Sequence, residues 1–175
     1  RWIAIIGQYI SISIVFFVFN FELPFFYCTL IVLLGAITNF YLQFIEKENQ
    51  LSNIKSSSYL LYDLLQLSLL LFLTGGVTNP FAFLLIIPAV VASTFLSLKS
   101  TINLSIITIA ILIFLTVYHF PLPHYNELHF HVPGYYLYAI PFAVIIGLVF
   151  LTYFGARFGI ESRKRTEALN RLELI

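Results

Sequence analysis

Six apolar runs, at residues 2–20, 24–45, 59–74, 80–98, 101–119 and 135–157, occupy most of this chain. No other feature restricts its fold so severely. Each run approaches the roughly 20 residues that a helix needs to cross a hydrocarbon core of about 30 Å. Phe, Ile and Leu fill them without the alternation of a membrane strand. In lipid, the remaining way to satisfy every backbone N–H and C=O is an α-helix. The composition agrees, with 60% of the 175 residues hydrophobic and 10% charged, against about 25% charged in a soluble domain. The reading is an all-α polytopic membrane protein with six transmembrane helices.

The Lys and Arg residues fix an orientation. Lys47 and Lys55 fall between runs two and three, Lys99 between runs four and five, and Arg1 ahead of run one. Arg157, Arg163, Lys164, Arg165 and Arg171 lie at or beyond the end of run six. The alternate gaps, around Asn20 and Glu22, at GGVTNPF and at PLPHYNELHFHVPG, hold none. Six crossings therefore put every basic residue on one side. The positive-inside rule makes that side the cytoplasm, with both termini inside. Trp2, Tyr41, Tyr59 and Tyr62 sit near borders, as interfacial aromatics do. No cleavage motif follows run one, so it reads as a span rather than a removable signal. The start at Arg1 and the absence of methionine are what a processed or trimmed N-terminus would leave. Residues 1–157 are expected to form the membrane domain, and 158–175 the start of a cytoplasmic signalling helix. The net charge of +1 gives no basis for nucleic-acid binding, and the single Cys28 excludes an internal disulfide.

Within this frame LFLTGGVTNPFAFL, residues 71–84, is the outer turn between runs three and four. A helix over 59–74 reaches about 24 Å, short of the hydrocarbon thickness, which would sink the turn slightly into the leaflet. Backbone polar groups there need partners. Gly75 or Gly76 suits the left-handed residue that closes a helix, Asn79 an N-cap, and Pro80 a first helical position. Phe81 and the two residues after it would then offer N–H groups without intrahelical partners, at the positive end of a helix dipole. Two readings stay open. Either every residue serves the turn, or the turn docks a flat, lipid-borne molecule with polar oxygens. A quinone has that form: its ring would lie on Phe81, and its carbonyl would accept from Asn79 or a free N–H. The glycines would allow close approach to the backbone.

Gly75-Gly76-Val77-Thr78-Asn79-Pro80-Phe81 resembles the GGxxNPF signature of the RegB/PrrB/ActS-type redox-sensing histidine kinases. The likeness extends to RWIAIIGQ, through Arg1, Trp2, Ala4, Gly7 and Gln8, and to Asp63 with the DLLQLSLLLFLTGG run. In that family the motif lies on the outer side of a six-helix membrane domain and is associated with ubiquinone binding. The resemblance implies Gly75, Gly76, Asn79, Pro80 and Phe81 as quinone-site residues and ubiquinone as ligand. It further implies a homodimer in a bacterial inner membrane that reports quinone occupancy or redox state to a cytoplasmic kinase, and through it to a response regulator. The family's phosphoacceptor histidine and ATP-binding domain have no counterpart here, since His119, His124, His129 and His131 all fall in the outer loop region. By itself the chain is expected to catalyse nothing. The family's redox-active cysteine is cytoplasmic, so Cys28 reads as a packing residue. A small secondary transporter, or a subunit of a quinone-linked membrane enzyme, is the alternative. The first would want charge or broken helices at the midplane, and a haem enzyme would want histidines within the spans.

The remaining polar residues have plainer readings. Asp63, the acidic residue well inside a span, is costly there and needs a partner, with Lys55 or interfacial water available. Gln8, Asn39, Gln66 and Asn103 suit interhelical hydrogen bonds. Pro88 and Pro141 are expected to bend their helices, each freeing a carbonyl four residues back. Gly155-x-x-x-Gly159 permits close helix approach, within the bundle or between copies. His129-x-His131 with Glu127 is a weak metal candidate, short of donors. Ala168, Leu172 and Ile175 offer one heptad of a possible coiled-coil seam.

Overall fold

The computed structural model describes residues 1–44, 52–124 and 133–172, and all regular structure among them is helical. Lys47, Glu127, His129, His131 and Ile175 lie outside the described residues, as does the Leu172 side chain. The helices are α1 (Trp2–Ser13, continued by a π-helical turn Ile14–Val18), α2 (Phe25–Phe44) and α3 (Asn53–Leu73). They are followed by α4 (Ile87–Phe95), α5 (Leu98–Val117) and α6 (Gly134–Leu172). Two 3-10 segments, Gly76–Thr78 and Pro80–Ile86, join α3 to α4. Helices α2, α3, α5 and α6 are long and apolar enough to cross a membrane; Trp2–Val18 and Pro80–Phe95 are shorter apolar segments.

Two clusters of buried side chains hold the bundle together. Leu64, Leu71, Val77, Leu85, Leu104 and Leu148 belong to the larger one, between α3, α4, α5 and α6. Cys28, Ile31, Val32 and Leu70 form the smaller one between α2 and α3, where Cys28 is fully buried as a packing residue. Buried threonines hide their hydroxyls by bonding back to their own helix, Thr108 to the Leu104 carbonyl at 2.8 Å and Thr116 to that of Leu112 at 2.7 Å. The outer surface is apolar to a degree that water would not tolerate. Ile3, Phe26 and Phe95 are 89%, 72% and 72% exposed, an arrangement suited to lipid.

The connections gather at two ends. At one, the Glu22 N–H donates to the His124 carbonyl at 3.0 Å and the Phe120 N–H to that of Phe72 at 2.8 Å. Gly75 and Gly76 pack there against Leu122 and His119. At the other, Trp2 bonds Gln43 at 3.1 Å, and Gly159 lies under the Thr94 carbonyl. The first end collects the lysine- and arginine-free gaps.

Two expectations from sequence need adjustment. Helix α3 starts at Asn53, six residues ahead of the apolar run, because Ser52 caps it by accepting the Lys55 N–H at 3.3 Å. Its 21 residues span about 31 Å, the added length being the polar NIKSSS stretch at 53–58. Pro88 does not kink a helix interior. It occupies the first turn of α4, where its missing N–H is no loss, and the Ile87 N–H takes the Leu84 carbonyl. Pro141, by contrast, does lie inside α6. Helix α6 is a single helix of 39 residues that runs on from the apolar run into the charged tail.

Candidate functional site

The Gly75–Phe81 stretch is built as two successive caps. Gly75 and Gly76 both take positive φ, +110° and +57°. A side chain at Gly75 would meet Leu122, and one at Gly76 would meet His119 and the Leu115 carbonyl. Glycine is thus required twice over, by conformation and by space. Thr78 Oγ1 donates to the Gly75 carbonyl at 2.6 Å. Asn79, extended at φ −68°, ψ 127°, caps the Pro80–Ile86 segment with Pro80 in its first turn.

Asn79 uses its whole amide in this work. Its Oδ1 accepts from the Phe81 N–H at 2.9 Å. Its Nδ2 donates to the Thr74 carbonyl at 2.9 Å and to Thr74 Oγ1 at 2.8 Å. The Ala82 N–H is taken by the Asn79 carbonyl at 2.9 Å. The N–H groups that the sequence reading left open at Phe81 and Ala82 therefore have partners inside the turn. The reason is that a 3-10 start closes its first bond one residue earlier than an α-helix does.

Below the turn, α1 stands apart from α3 and from the Pro80–Phe95 segment, and a groove of about 750 Å³ runs between them. Asn79, Phe81 and Thr74 line its outer end, Gln8 and Gln66 its middle, and Arg1 and Asp63 its other end. The rest of the wall is mainly aliphatic, including Leu67, Leu70 and Ile87. At the rim, Ile3 and Ile87 are exposed, so the groove opens sideways onto the apolar surface. Of the five residues singled out from sequence, Asn79 and Phe81 reach the groove; Gly75 and Gly76 face α5 and its following loop, and Pro80 is not on the wall.

Two polar bridges span the groove from α1 to α3. Arg1 Nε lies 3.1 Å from both carboxylate oxygens of Asp63. The guanidinium also lies 5.8 Å from the Tyr59 ring centroid and 5.9 Å from that of Tyr62. Gln66 Nε2 donates to Gln8 Oε1 at 3.1 Å. The bridges occur in the same order along both helices, so α1 and α3 run parallel. Sequence reasoning paired Asp63 with Lys55 or water and missed Arg1, because a separation of 62 residues leaves no local signal. It marked Gln8 and Gln66 only as hydrogen-bonding residues, and Gly35 not at all. A side chain at Gly35 would collide with the Gln66 amide, so α2 provides the notch that lets this amide lie buried. Among the described residues no group of three or more potential metal ligands comes together.

The chain is similar to the sensor histidine kinase RegB of Cereibacter sphaeroides, with 35% identity over 170 residues. The alignment covers 97% of this chain and 37% of that protein, so the chain spans little more than a third of its relative's length. No family model matches the chain, and no solved structure does.

Proposed function

The chain belongs to the RegB-type sensor-kinase membrane domains, and on that premise we propose that it is a quinone-responsive sensor. The observation that carries this reading is the lateral groove ending at Asn79 and Phe81. Ubiquinone enters it from the lipid, places its ring in the outer half against Phe81, and leaves its tail among the aliphatic side chains. Gly75, Gly76 and Pro80 shape the outer end without lining it, and Asn79 holds the turn closed. A kinase beyond this segment reads the result through α6 and passes phosphate to a response regulator. Two copies act together, as a parallel pair of α6 tails would allow. The domain comprises residues 1–157, and 158–175 begin the output helix.

The proposed architecture has six spans with both ends in the cytoplasm of a bacterial inner membrane. Two features support it. The parallel course of α1 and α3 requires α2 to return between them, as alternate crossings would. Lys55 and Lys99 lie at the start of α3 and α5, away from the end where the Glu22, Gly75 and Phe120 connections meet. The shorter Pro80–Phe95 segment gains reach from its 3-10 part. Seven residues wound that way extend about 14 Å, against about 10 Å as α-helix.

Saturable binding of a ubiquinone analogue to the chain in nanodiscs tests the function. Phe81→Ala is expected to bind several-fold more weakly with its helix content unchanged. A wild-type chain that takes up analogue only in proportion to lipid would refute the quinone reading.

A further inference from the structure

At the mouth of the groove the Asn79 amide and the Phe81 N–H are already engaged, bonded to each other and to Thr74. The middle of the groove is different. The Gln8–Gln66 bridge uses one hydrogen of Gln66 Nε2 and the carbonyl of Gln8. Among the described residues, Gln8 Nε2 and Gln66 Oε1 have no hydrogen-bond partner. Neither atom is sealed in the protein interior, although Gln66 as a residue is 8% exposed. Both residues line the groove. In hydrocarbon an unpartnered amide N–H or carbonyl is costly, so this pair needs something polar from the groove itself.

We infer that the Gln8–Gln66 pair is the polar contact for the ring oxygen of the bound quinone. The inference rests on the quinone reading above and adds to it the atoms that recognise the head. Gln66 lies eight residues before Thr74 on α3, about 12 Å deeper along the helix axis. A ring lying inward of Phe81 therefore points its far oxygen at the pair. The pair offers amide N–H donors on both helices, Gln8 Nε2 on α1 and the second hydrogen of Gln66 Nε2 on α3, but an acceptor on α3 alone. A quinone carbonyl only accepts, and it takes the N–H of Gln8 on α1. A quinol hydroxyl also donates, and it takes the carbonyl of Gln66 on α3. Reduction thus adds a hydrogen bond to the α3 wall that the quinone cannot make. That gives the two ligand forms different partners in the protein, which a population shift requires.

The test measures oxidised and reduced short-chain ubiquinone binding to the full chain in nanodiscs. Infrared spectra are recorded with the quinone carbonyls labelled with carbon-13. In Gln8→Met the Gln66 amide stays in the Gly35 notch, so its carbonyl keeps its place. Quinone affinity should fall about tenfold, the loss of one such hydrogen bond, and quinol affinity should fall less. The carbonyl band lowered by hydrogen bonding in the wild type should return toward the free frequency. Gln8→Met/Gln66→Met should weaken both forms. If that double variant loses its helical spectrum, Gln8→Met decides alone, since Gln8 is only partly buried. Wild-type affinities for both forms with an unmoved carbonyl band would reduce the pair to an interhelical lock and overturn the inference. Absence of saturable binding to the wild type would instead overturn the quinone reading, and the inference with it.

Discussion

Asn79 shows how much one amide can close: one acceptor and two donor hydrogens all end on neighbours in the same turn. Losing an N-cap costs about 1 kcal/mol, and the Thr74 carbonyl would lose its donor too. Asn79→Ala is therefore expected to destabilise the domain by about 1–2 kcal/mol, read as a lowered melting temperature in detergent. Asn79→Asp keeps the cap and should fall between. An unchanged melting temperature in Asn79→Ala would mean that the turn does not depend on this side chain. The glycines allow a second test. A side chain at Gly155 would run into Ser93, and one at Gly159 into the Thr94 carbonyl, whereas Gly7 has open space around it. Gly159→Leu should cost about 1–3 kcal/mol through overpacking, and Gly7→Leu should be tolerated. The same contacts resolve the Gly155-x-x-x-Gly159 question, because the pattern packs against α4 within the chain.

At the scale of elements, the Pro80–Ile86 segment is the anomaly. Runs of 3-10 helix beyond three or four residues are uncommon and often mark a hinge, and this one has seven. Pro80 starts it and Pro88 follows it, and neither can donate the bond that an α-helix would place there. Pro88→Ala restores an N–H that can reach the Leu84 carbonyl. The segment should then relax to α-helical winding and shorten by about 3.5 Å, measurable between spin labels at its two ends. An unchanged distance would show that packing, not Pro88, sets the winding. These details also mark the limit of what the residues disclose. Apolar runs locate the helices because lipid leaves the backbone no alternative. They miss the start of α3, since a polar NIKSSS turn outside the hydrocarbon carries no apolar signal. They also miss the division of run four into two windings, which depends on which carbonyl each proline leaves free. For the site, the motif pointed to Asn79 and Phe81, but the groove is made by α1 standing away from α3. No local pattern encodes that separation.

For the whole molecule, sidedness is the claim most open to direct test. Cysteines introduced at Glu22 and Pro121 should react with an impermeant maleimide added outside cells, and those at Asn53 and Lys99 only after permeabilisation. The native Cys28 is fully buried and should stay silent. Labelling of all four from one side would refute the alternating arrangement. The same geometry ties the turn to the tail helix: the segment after the turn becomes α4, and α4 rests on α6 where Gly155 and Gly159 meet Ser93 and Thr94.

The notch at Gly35 has a consequence for descent as well as for packing. The amide of Gln66 occupies the space where a side chain on α2 would otherwise stand, so neither position can drift alone. A lineage that replaced Gln66 with a small residue would leave a void until Gly35 became larger, and one that enlarged Gly35 first would expel the amide. The two positions should covary across relatives of this domain, glycine with glutamine and larger with smaller.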